Sequence, residues 1–144
     1  MSLVIGDGVL DWVNKQLSVN LGEGAGIGFT RNGEIIMGSV FNNYNTASIH
    51  MHIALKEGER LSPTFVAAIM DYPFRQLGVK RITGLIAETN IASRRFAEHL
   101  GFKFEGLLQD AIPSGNLVMY GLLKEQGDHW LTALYQRRLK PTGL

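Results

Sequence analysis

The chain has 144 residues, of which 45% are hydrophobic and 19% are charged, and its formal net charge is +1. This length and composition predict a single folded domain over residues 1–144 and exclude a mainly disordered chain. The near balance of charge argues against a protein that holds nucleic acid by bulk charge. Cysteine is absent, which excludes a disulfide scaffold, a thiolate metal site and a cysteine nucleophile.

Hydrophobic segments that would direct the chain to a membrane are not found in the sequence. No apolar run approaches the ~18 residues that a membrane span requires. The first residues also lack a basic segment followed by a long apolar run, which is typical of a secretory signal. We therefore expect a cytoplasmic protein with no membrane partner.

The first half of the chain predicts a helix followed by antiparallel strands. Apolar residues recur at helical spacing over residues 10–17. Residues 25–30 and 34–41 are strand-like runs separated by a turn that contains Asn32-Gly33. Asn-Gly between apolar runs favours a type I′ hairpin turn, because both central residues need a positive φ. Residues 47–55 then alternate apolar and polar side chains, which indicates a third antiparallel strand.

The second half alternates helices and strands. Ser62-Pro63 supplies a helix cap and a first-turn proline for a helix over 63–77, which Pro73 should kink or interrupt before Gly78 ends it. The remaining predicted elements are a strand over 79–88, a helix from Asn90 to Gly101, strands over 102–106 and 116–123 separated by a turn at 112–115, and a closing helix over 129–140. A strand–helix–strand crossing between residues 48 and 87 implies a parallel pair in a mixed α/β sheet.

Two helices also have predicted orientations. In the helix after Asn90, residues at positions i, i+4 and i+8 should face the core, while the charged residues point outward. The predicted inward residues are Ala92, Phe96 and Leu100, and the predicted outward residues are Arg94, Arg95 and Glu98. In the closing helix we expect Trp130, Leu131, Leu134 and Tyr135 to face inward.

The most specific motif lies in residues 90–106, with the sequence NIASRRFAEHLGFKFEG. It combines Asn-x-x-Ser, a helix that ends in Leu-Gly-Phe and a strand that ends in Glu-Gly. This pattern resembles the GNAT acyltransferase superfamily, in the branch with ribosomal-protein N-terminal, amino-sugar and polyamine acetyltransferases. The later segment GNLVMYGLLKEQ resembles the same branch, and the segment DYPFRQLG is similar to helices of phage-type members. The resemblance covers roughly residues 24–126.

This resemblance implies a GNAT-like, mostly antiparallel sheet flanked by helices, with strands 47–55 and 79–88 splayed apart as a parallel pair. It further implies an acetyl-CoA-dependent N-acetyltransferase, in which a primary amine attacks directly in a ternary complex without a metal ion. A helix start after the first splayed strand suits the pyrophosphate, because its N–H groups and dipole favour an anion. The residues implied for the cofactor are Ile53, Leu55, Arg60, Leu61, Ser62, Thr64, Phe65, Asn90, Ser93 and Arg95.

The phosphate loop departs from the family pattern. The usual loop is Arg/Gln-x-x-Gly-x-Gly/Ala, whereas residues 57–62 read EGERLS and keep one glycine. Glu57 and Glu59 place negative charge near the expected phosphate, and Pro63 removes one N–H donor. Two interpretations remain open at this point: acetyl-CoA binds through Arg60, hydroxyls and backbone amides, or the fold has a weakened cofactor loop. Asn90 likewise fits either a helix cap or a cofactor contact.

The catalytic residues are harder to assign. Many GNAT enzymes have a tyrosine acid seven positions after the motif asparagine, where this chain has Ala97. Tyr120 is the best substitute, and a half-buried strand tyrosine without a catalytic role is the alternative interpretation. His50 and His52 share one strand face and titrate in a range useful for a base, but surface strand residues are the alternative. The spacing of the two histidines also suits a metal, but no cysteine or carboxylate completes such a site.

Other functional classes and partners remain open from the sequence alone. One alternative is a GNAT-fold binding or regulatory protein without catalysis, and another is a GNAT-type enzyme that modifies a nucleic-acid base. The loop residues Asn42, Asn43 and Tyr44 could line the mouth of the acceptor site, but the acceptor itself is not identified. The closing helix, with Arg137, Arg138 and Lys140 near its end, packs on the domain or mediates a homodimer.

Overall fold

A computed structural model describes residues 2–139, with side chains described up to residue 136. The elements over these residues are β1 (Ser2–Ile5), α1 (Asp7–Leu17), β2 (Ala25–Arg31), β3 (Glu34–Asn42), β4 (Ser48–Leu55), α2 (Pro63–Asp71) with a following π-turn (Tyr72–Gln76), β5 (Arg81–Ala87), α3 (Ile91–Leu100), β6 (Lys103–Ile112), β7 (Gly115–Leu123) and α4 (Lys124–Leu139).

The strands form one seven-stranded sheet in the order β1-β2-β3-β4-β5-β7-β6. Every neighbouring pair is antiparallel except β4 and β5, which run parallel. The mixed, mostly antiparallel α/β sheet predicted from the sequence is therefore confirmed. Strand β1 was not predicted, because its short and largely exposed run, Ser2–Ile5, has no buried alternation to reveal it.

The parallel pair separates soon after it begins. Ladder pairing joins β4 and β5 only at Ser48–Arg81, Ile49–Ile82 and His50–Thr83. Beyond His50, β4 remains paired with β3 on its other side, and β5 remains paired with β7. The two strands thus diverge toward their carboxyl ends, which confirms the splayed pair.

Local turn chemistry explains two of the connections. Asn32 and Gly33 have φ values of 53° and 78°, so the predicted type I′ hairpin between β2 and β3 is confirmed. Ser62 caps α2 by accepting a hydrogen bond from the backbone N–H of Thr64 at 3.2 Å. The α-helix stops at Asp71, and Pro73 lies in the π-turn that follows, as expected for a proline that interrupts regular helix hydrogen bonding.

The two faces of the sheet are covered differently. The main hydrophobic core lies on one face, under α2, α3 and α4, and we call this the core face. Helix α1 covers the other face, the α1 face, where Val9 and Val13 pack on Val40 and Ala54. Close approach of α1 requires glycine in β3, because a Cβ at Gly38 would lie 2.9 Å from Cγ2 of Val13.

Helix α1 begins at Asp7 rather than residue 10, and further differences from the sequence predictions concern β6, α4 and α3. Strand β6 continues to Ile112 rather than ending at residue 106, because nearly all its side chains are exposed and give no buried pattern. Helix α4 begins at Lys124 rather than residue 129, and Lys140 lies outside the described residues. In α3 the buried residues are Ala97 and Leu100, whereas Ala92 is exposed.

The reason for the rotated α3 face is the side chain of Arg94. It is directed to the backbone oxygen of Glu88 at 3.0 Å and to the Tyr120 hydroxyl at 3.1 Å, so it does not point into solvent. In α4 the predicted inward face is confirmed, because Leu131 and Leu134 are buried while Trp130 and Tyr135 pack against the core.

Candidate active site

The two histidines of β4 lie on the α1 face and are held by neighbouring asparagines. In the β3–β4 ladder, His52 is opposite Val40 and Ala54 is opposite Gly38, which places both histidines on that face. Nε2 of His52 and Oδ1 of Asn42 are 3.2 Å apart, and so are Nδ1 of His50 and Nδ2 of Asn43. Because Oδ1 of Asn42 can only accept a hydrogen bond, Nε2 of His52 is the donor and Nδ1 is left as a proton acceptor.

The environment keeps both rings neutral near neutral pH. Burial, and then the nearby His50, lower the pKa of His52 from 6.5 to about 4. Burial, and then the positive charge of Arg81, lower the pKa of His50. A neutral imidazole is the form that accepts a proton, so the structure is compatible with the predicted base, although the role itself stays a prediction.

An ion pair crosses the sheet next to the histidines, and the sequence analysis did not find it. Nη2 of Arg81 donates to Oε1 of Glu105 at 2.7 Å, Nη1 donates to Oε2 at 3.1 Å, and Nε donates to the Thr83 hydroxyl at 2.9 Å. Thr83 is the ladder partner of His50. The Arg81 guanidinium also lowers the pKa of Glu105. No local signal reveals this pair, because the partners lie on β5 and β6 with β7 between them.

The predicted cofactor residues gather at the open end of the splayed strands. Helices α2 and α3 follow the carboxyl ends of β4 and β5, so both helix starts lie at the same edge of the sheet. Ser62 caps the first helix, and Asn90 caps the second by accepting from the N–H of Ser93 at 3.2 Å. Neighbouring N–H groups and two helix dipoles therefore face the region where the resemblance implies an anion.

One of the two acidic residues of the phosphate loop, Glu59, has its charge compensated by a neighbouring side chain. Gly58 has a φ of 84° and allows a turn in which the N–H of Glu59 donates to the oxygen of Lys56 at 3.0 Å. The carboxylate of Glu59 is paired with Arg31 at 2.6 Å. Its charge is thus compensated from the β2–β3 hairpin, which leaves the exposed Arg60 beside the helix start.

Other predicted cofactor residues can contribute only backbone groups or surface charge. Phe65 is buried in the core, and Leu61, Ile53 and Leu55 pack against it. The backbone of β4 from Met51 to Leu55 has no ladder partner in β5, so its groups on that side are open to a ligand. Thr64 and Arg95 are exposed at the two helix starts. This donor set fits an extended, amide-containing arm that ends in phosphates.

Tyr120 lies on the opposite face from the histidines. Its side chain has no exposed surface, its hydroxyl donates to Oε2 of Glu98 at 2.7 Å, and Nε of Arg94 donates to the same hydroxyl at 3.1 Å. Burial raises the pKa of Tyr120. The structure therefore does not bring Tyr120 together with His50 and His52, and its role as an acid remains a prediction.

A cavity of about 550 Å³ lies between the α1–β2 loop and the β3–β4 loop, and we call it the loop cavity. Its lining includes Asn42, Asn43 and Tyr44, the residues predicted for the acceptor mouth. Glu23 and Tyr72 also line it. The sequence analysis missed these two residues because a loop glutamate and a helical tyrosine carry no local signal of a shared cavity.

In the part of the chain that the structure describes, no group of three or more His, Cys, Asp or Glu side chains is arranged to hold a metal ion. Over the same residues, no helix combines the length and hydropathy needed to span a membrane.

The chain is similar to a known protein family and to several solved structures. A family model described as an acetyltransferase (GNAT) domain matches residues 7–103. No curated protein sequence matches the chain. Among solved structures, a chimera of the spermidine N-acetyltransferase SpeG from Vibrio cholerae and hSSAT is 17% identical and has a TM-score of 0.71, with 88% of this chain and 99% of the chimera covered.

Two further solved structures show the same fold. A GCN5-related N-acetyltransferase from Brucella melitensis is 20% identical with a TM-score of 0.69, covering 93% of this chain and 65% of that protein. The acetyltransferase yncA from Salmonella typhimurium, solved with its cofactor acetyl-CoA, is 12% identical with a TM-score of 0.68, covering 85% of this chain and 93% of that protein. At these identities the likeness concerns the fold.

Proposed function

Because the chain belongs to the GNAT family and is an acetyltransferase, we propose that it transfers the acetyl group of acetyl-CoA to a primary amine. The observation that supports this most directly is the splayed β4–β5 pair with two capped helix starts at its open end. The open backbone of Met51–Leu55 would bind the pantetheine amides, and the start of α2 near Arg60 would bind the pyrophosphate. Asn90, at the start of α3, would contact the cofactor from the β5 side of this cleft.

The protein's own task in such a reaction is to deprotonate and orient the amine. Bound acetyl-CoA supplies a thioester carbonyl as the electrophile, and an ammonium group must lose a proton before it can attack. We propose that Nδ1 of His52 or the ring of His50 accepts this proton on the α1 face. The chain has no cysteine to form an acyl thioester with the enzyme, which favours direct transfer in a ternary complex.

The histidine proposal is tested by changing His50 and His52 to Gln, singly and together. We expect kcat/KM to fall about 10²–10⁴-fold for the variant that removes the base. Rates are followed against pH, and the ascending limb that depends on the histidine should lie below its ordinary pKa, because both values are lowered. If both single variants and the double variant keep the rate and the pH profile, the pair is structural.

Tyr120→Phe tests the proposed acid in the same assay. A fall in kcat and kcat/KM together, with the same unfolding free energy, would support departure of the thiolate with help from this hydroxyl. A loss of stability with unchanged kcat would instead assign the hydroxyl to the contacts with Arg94 and Glu98.

The function as a whole is tested by calorimetry with acetyl-CoA and by release of free CoA with a panel of amines. The resemblance and the spermidine acetyltransferases among the similar structures make polyamines, amino sugars and ribosomal-protein N-termini the first acceptors to assay. We expect saturable binding and amine-dependent CoA release. Absence of binding up to millimolar acetyl-CoA would contradict the proposal. Location in the cytoplasm and assembly as a homodimer stay predictions.

A second candidate function is a GNAT-fold binding protein without catalysis. The observation that favours it is the phosphate loop, which has one glycine and places Pro63 at the helix start. Binding of acetyl-CoA without transfer to any amine would support this candidate over the enzyme.

A further inference from the structure

The loop cavity has a chemically distinctive lining. Glu23 is the one carboxylate among its lining residues, and no Lys, Arg or His side chain belongs to that lining. The aromatic rings of Phe41, Tyr44 and Tyr72 share the cavity, and the Tyr44 side chain is 48% exposed. Phe41 and Tyr72 are in edge-to-face contact, with ring centroids 5.2 Å apart, so the Tyr72 ring is held in place.

Such a lining favours a positive charge. The Glu23 carboxylate, which is exposed, attracts a cation directly, and the face of an aromatic ring attracts it through the ring quadrupole. Asn42 and Asn43 also belong to the lining. Oδ1 of Asn42 already accepts from His52, whereas Asn43 uses Nδ2 on His50, so Oδ1 of Asn43 is the amide oxygen that can accept from an ammonium group. An anionic ligand would meet only repulsion from Glu23.

The cavity borders the proposed base through its asparagines. Its lining residue Ile49 precedes His50 on β4, but the two side chains lie on opposite faces of the sheet, with Ile49 in the main core. Asn42 and Asn43, which form part of the wall, each contact one histidine ring at 3.2 Å. Along β4 the distance from Ile49 to Leu55 is roughly 20 Å at the rise of an extended strand. The cavity and the phosphate loop therefore lie at opposite ends of β4, with the histidines between them.

We propose that the loop cavity binds the acceptor by a cationic group other than the amine that is acetylated. Glu23 is the counter-ion, and Tyr44 and Tyr72 form the aromatic walls. Preferred acceptors are thus amines that carry a second positive charge. This inference rests on the proposed function, because it assigns the acceptor end of that same site.

The test compares amines with the same number of carbons, four, that differ in the charge of the tail: butylamine, putrescine with a cationic tail, and γ-aminobutyrate with an anionic tail. We expect the wild-type kcat/KM to be highest for putrescine and lowest for γ-aminobutyrate. In Glu23→Gln the ratio of putrescine to butylamine should fall about tenfold, which corresponds to about 1.4 kcal/mol, and mainly through KM. Asp11→Asn, an exposed change of equal charge on α1, should leave this ratio unchanged.

The aromatic wall is tested with a matched pair of variants. Tyr44→Phe keeps the ring and should keep the preference for putrescine, whereas Tyr44→Leu should reduce it. If Tyr44→Phe and Tyr44→Leu show the same ratio of kcat/KM for putrescine over butylamine, the aromatic part of the proposal is wrong.

Failure of the inference can be separated from failure of the proposed function. If butylamine is acetylated but tail charge has no effect, the function stands and the inference is wrong. Calorimetric titration of putrescine into the CoA-bound protein adds a measurement that does not depend on turnover. Equal affinity of wild type and Glu23→Gln in that titration overturns the inference even when no amine is acetylated.

Discussion

His52 links the chemistry of the site to the stability of the fold. Its lowered pKa, about 4 against 6.5, means that the unfolded chain binds more protons than the folded chain between these two values. The free energy of unfolding must therefore fall as the pH is lowered through this window, and it changes little from this source below it. Above the ordinary histidine pKa, the neutral ring contributes no such dependence.

We accordingly expect wild type to lose about 2 kcal/mol more than His52→Gln between about pH 7 and about pH 5. Glutamine does not titrate and can still bond to Asn42, so it isolates the protonation effect. Urea unfolding of both proteins at the two pH values measures the difference. Parallel losses in the two proteins would show that His52 titrates normally.

Asn90 has one observed role at the start of α3, the helix cap, and one predicted role, the cofactor contact. Asn90→Ala should cost about 0.5–2 kcal/mol of stability, because the N–H of Ser93 loses its cap, and it should weaken acetyl-CoA binding. Asn90→Ser keeps a capping oxygen but removes the side-chain amide. Unfolding and calorimetry on both variants separate cap from contact: if Asn90→Ala keeps wild-type affinity, Asn90 acts only as a cap.

At the level of the elements, the Arg81–Glu105 pair depends on a glycine between its partners. The pair crosses β7 at Gly121, where an added Cβ would clash with the Glu105 carboxylate and lie 2.9 Å from Nη2 of Arg81. An L-residue at this position would therefore displace the pair or the strand.

We predict that Gly121→Ala costs about 0.2–1 kcal/mol in the wild-type background, because the partly exposed ends of Arg81 and Glu105 must move and their ion pair is weakened. In a Glu105→Ala background the same change should cost much less, because the clashing carboxylate is gone, and the two effects are non-additive. Gly106→Ala on β6 is the control, since its added Cβ meets nothing within 4 Å. Additive costs at positions 105 and 121 would disprove the crossing geometry in solution.

Some of these elements could be predicted from the sequence and others could not. The Asn32-Gly33 hairpin and the Ser62 and Asn90 caps were predictable, because each depends on residues a few positions apart. The predicted end of β6 at residue 106 was too early, because its exposed side chains have no buried periodicity. The Arg81–Glu105 pair and the Glu23–Tyr72 cavity wall were not predictable, because sheet order and loop placement, rather than local spacing, bring those residues together.

For the whole molecule, the splayed pair predicts an uneven pattern of hydrogen exchange. Amides of Met51–Leu55 that face β5 lack a strand partner, whereas those facing β3 are paired. The unpaired amides should exchange quickly in the free protein and become protected when acetyl-CoA binds. Exchange measured by NMR with and without acetyl-CoA tests this. Uniform protection along β4 before the ligand is added would contradict an open cleft.

Helix α4 has a mechanical consequence for this cleft. The Tyr135 hydroxyl donates to Asp71 of α2 at 3.2 Å, and Nε1 of Trp130 donates to the oxygen of Leu100 at the end of α3 at 2.6 Å. The two half-sheets, β1–β4 and β5–β7–β6, are joined in the sheet by only three ladder pairs. Helix α4 therefore bridges α2 and α3 across this junction, and we expect the width of the cleft to depend on Trp130 and Tyr135, which are not among the predicted cofactor residues.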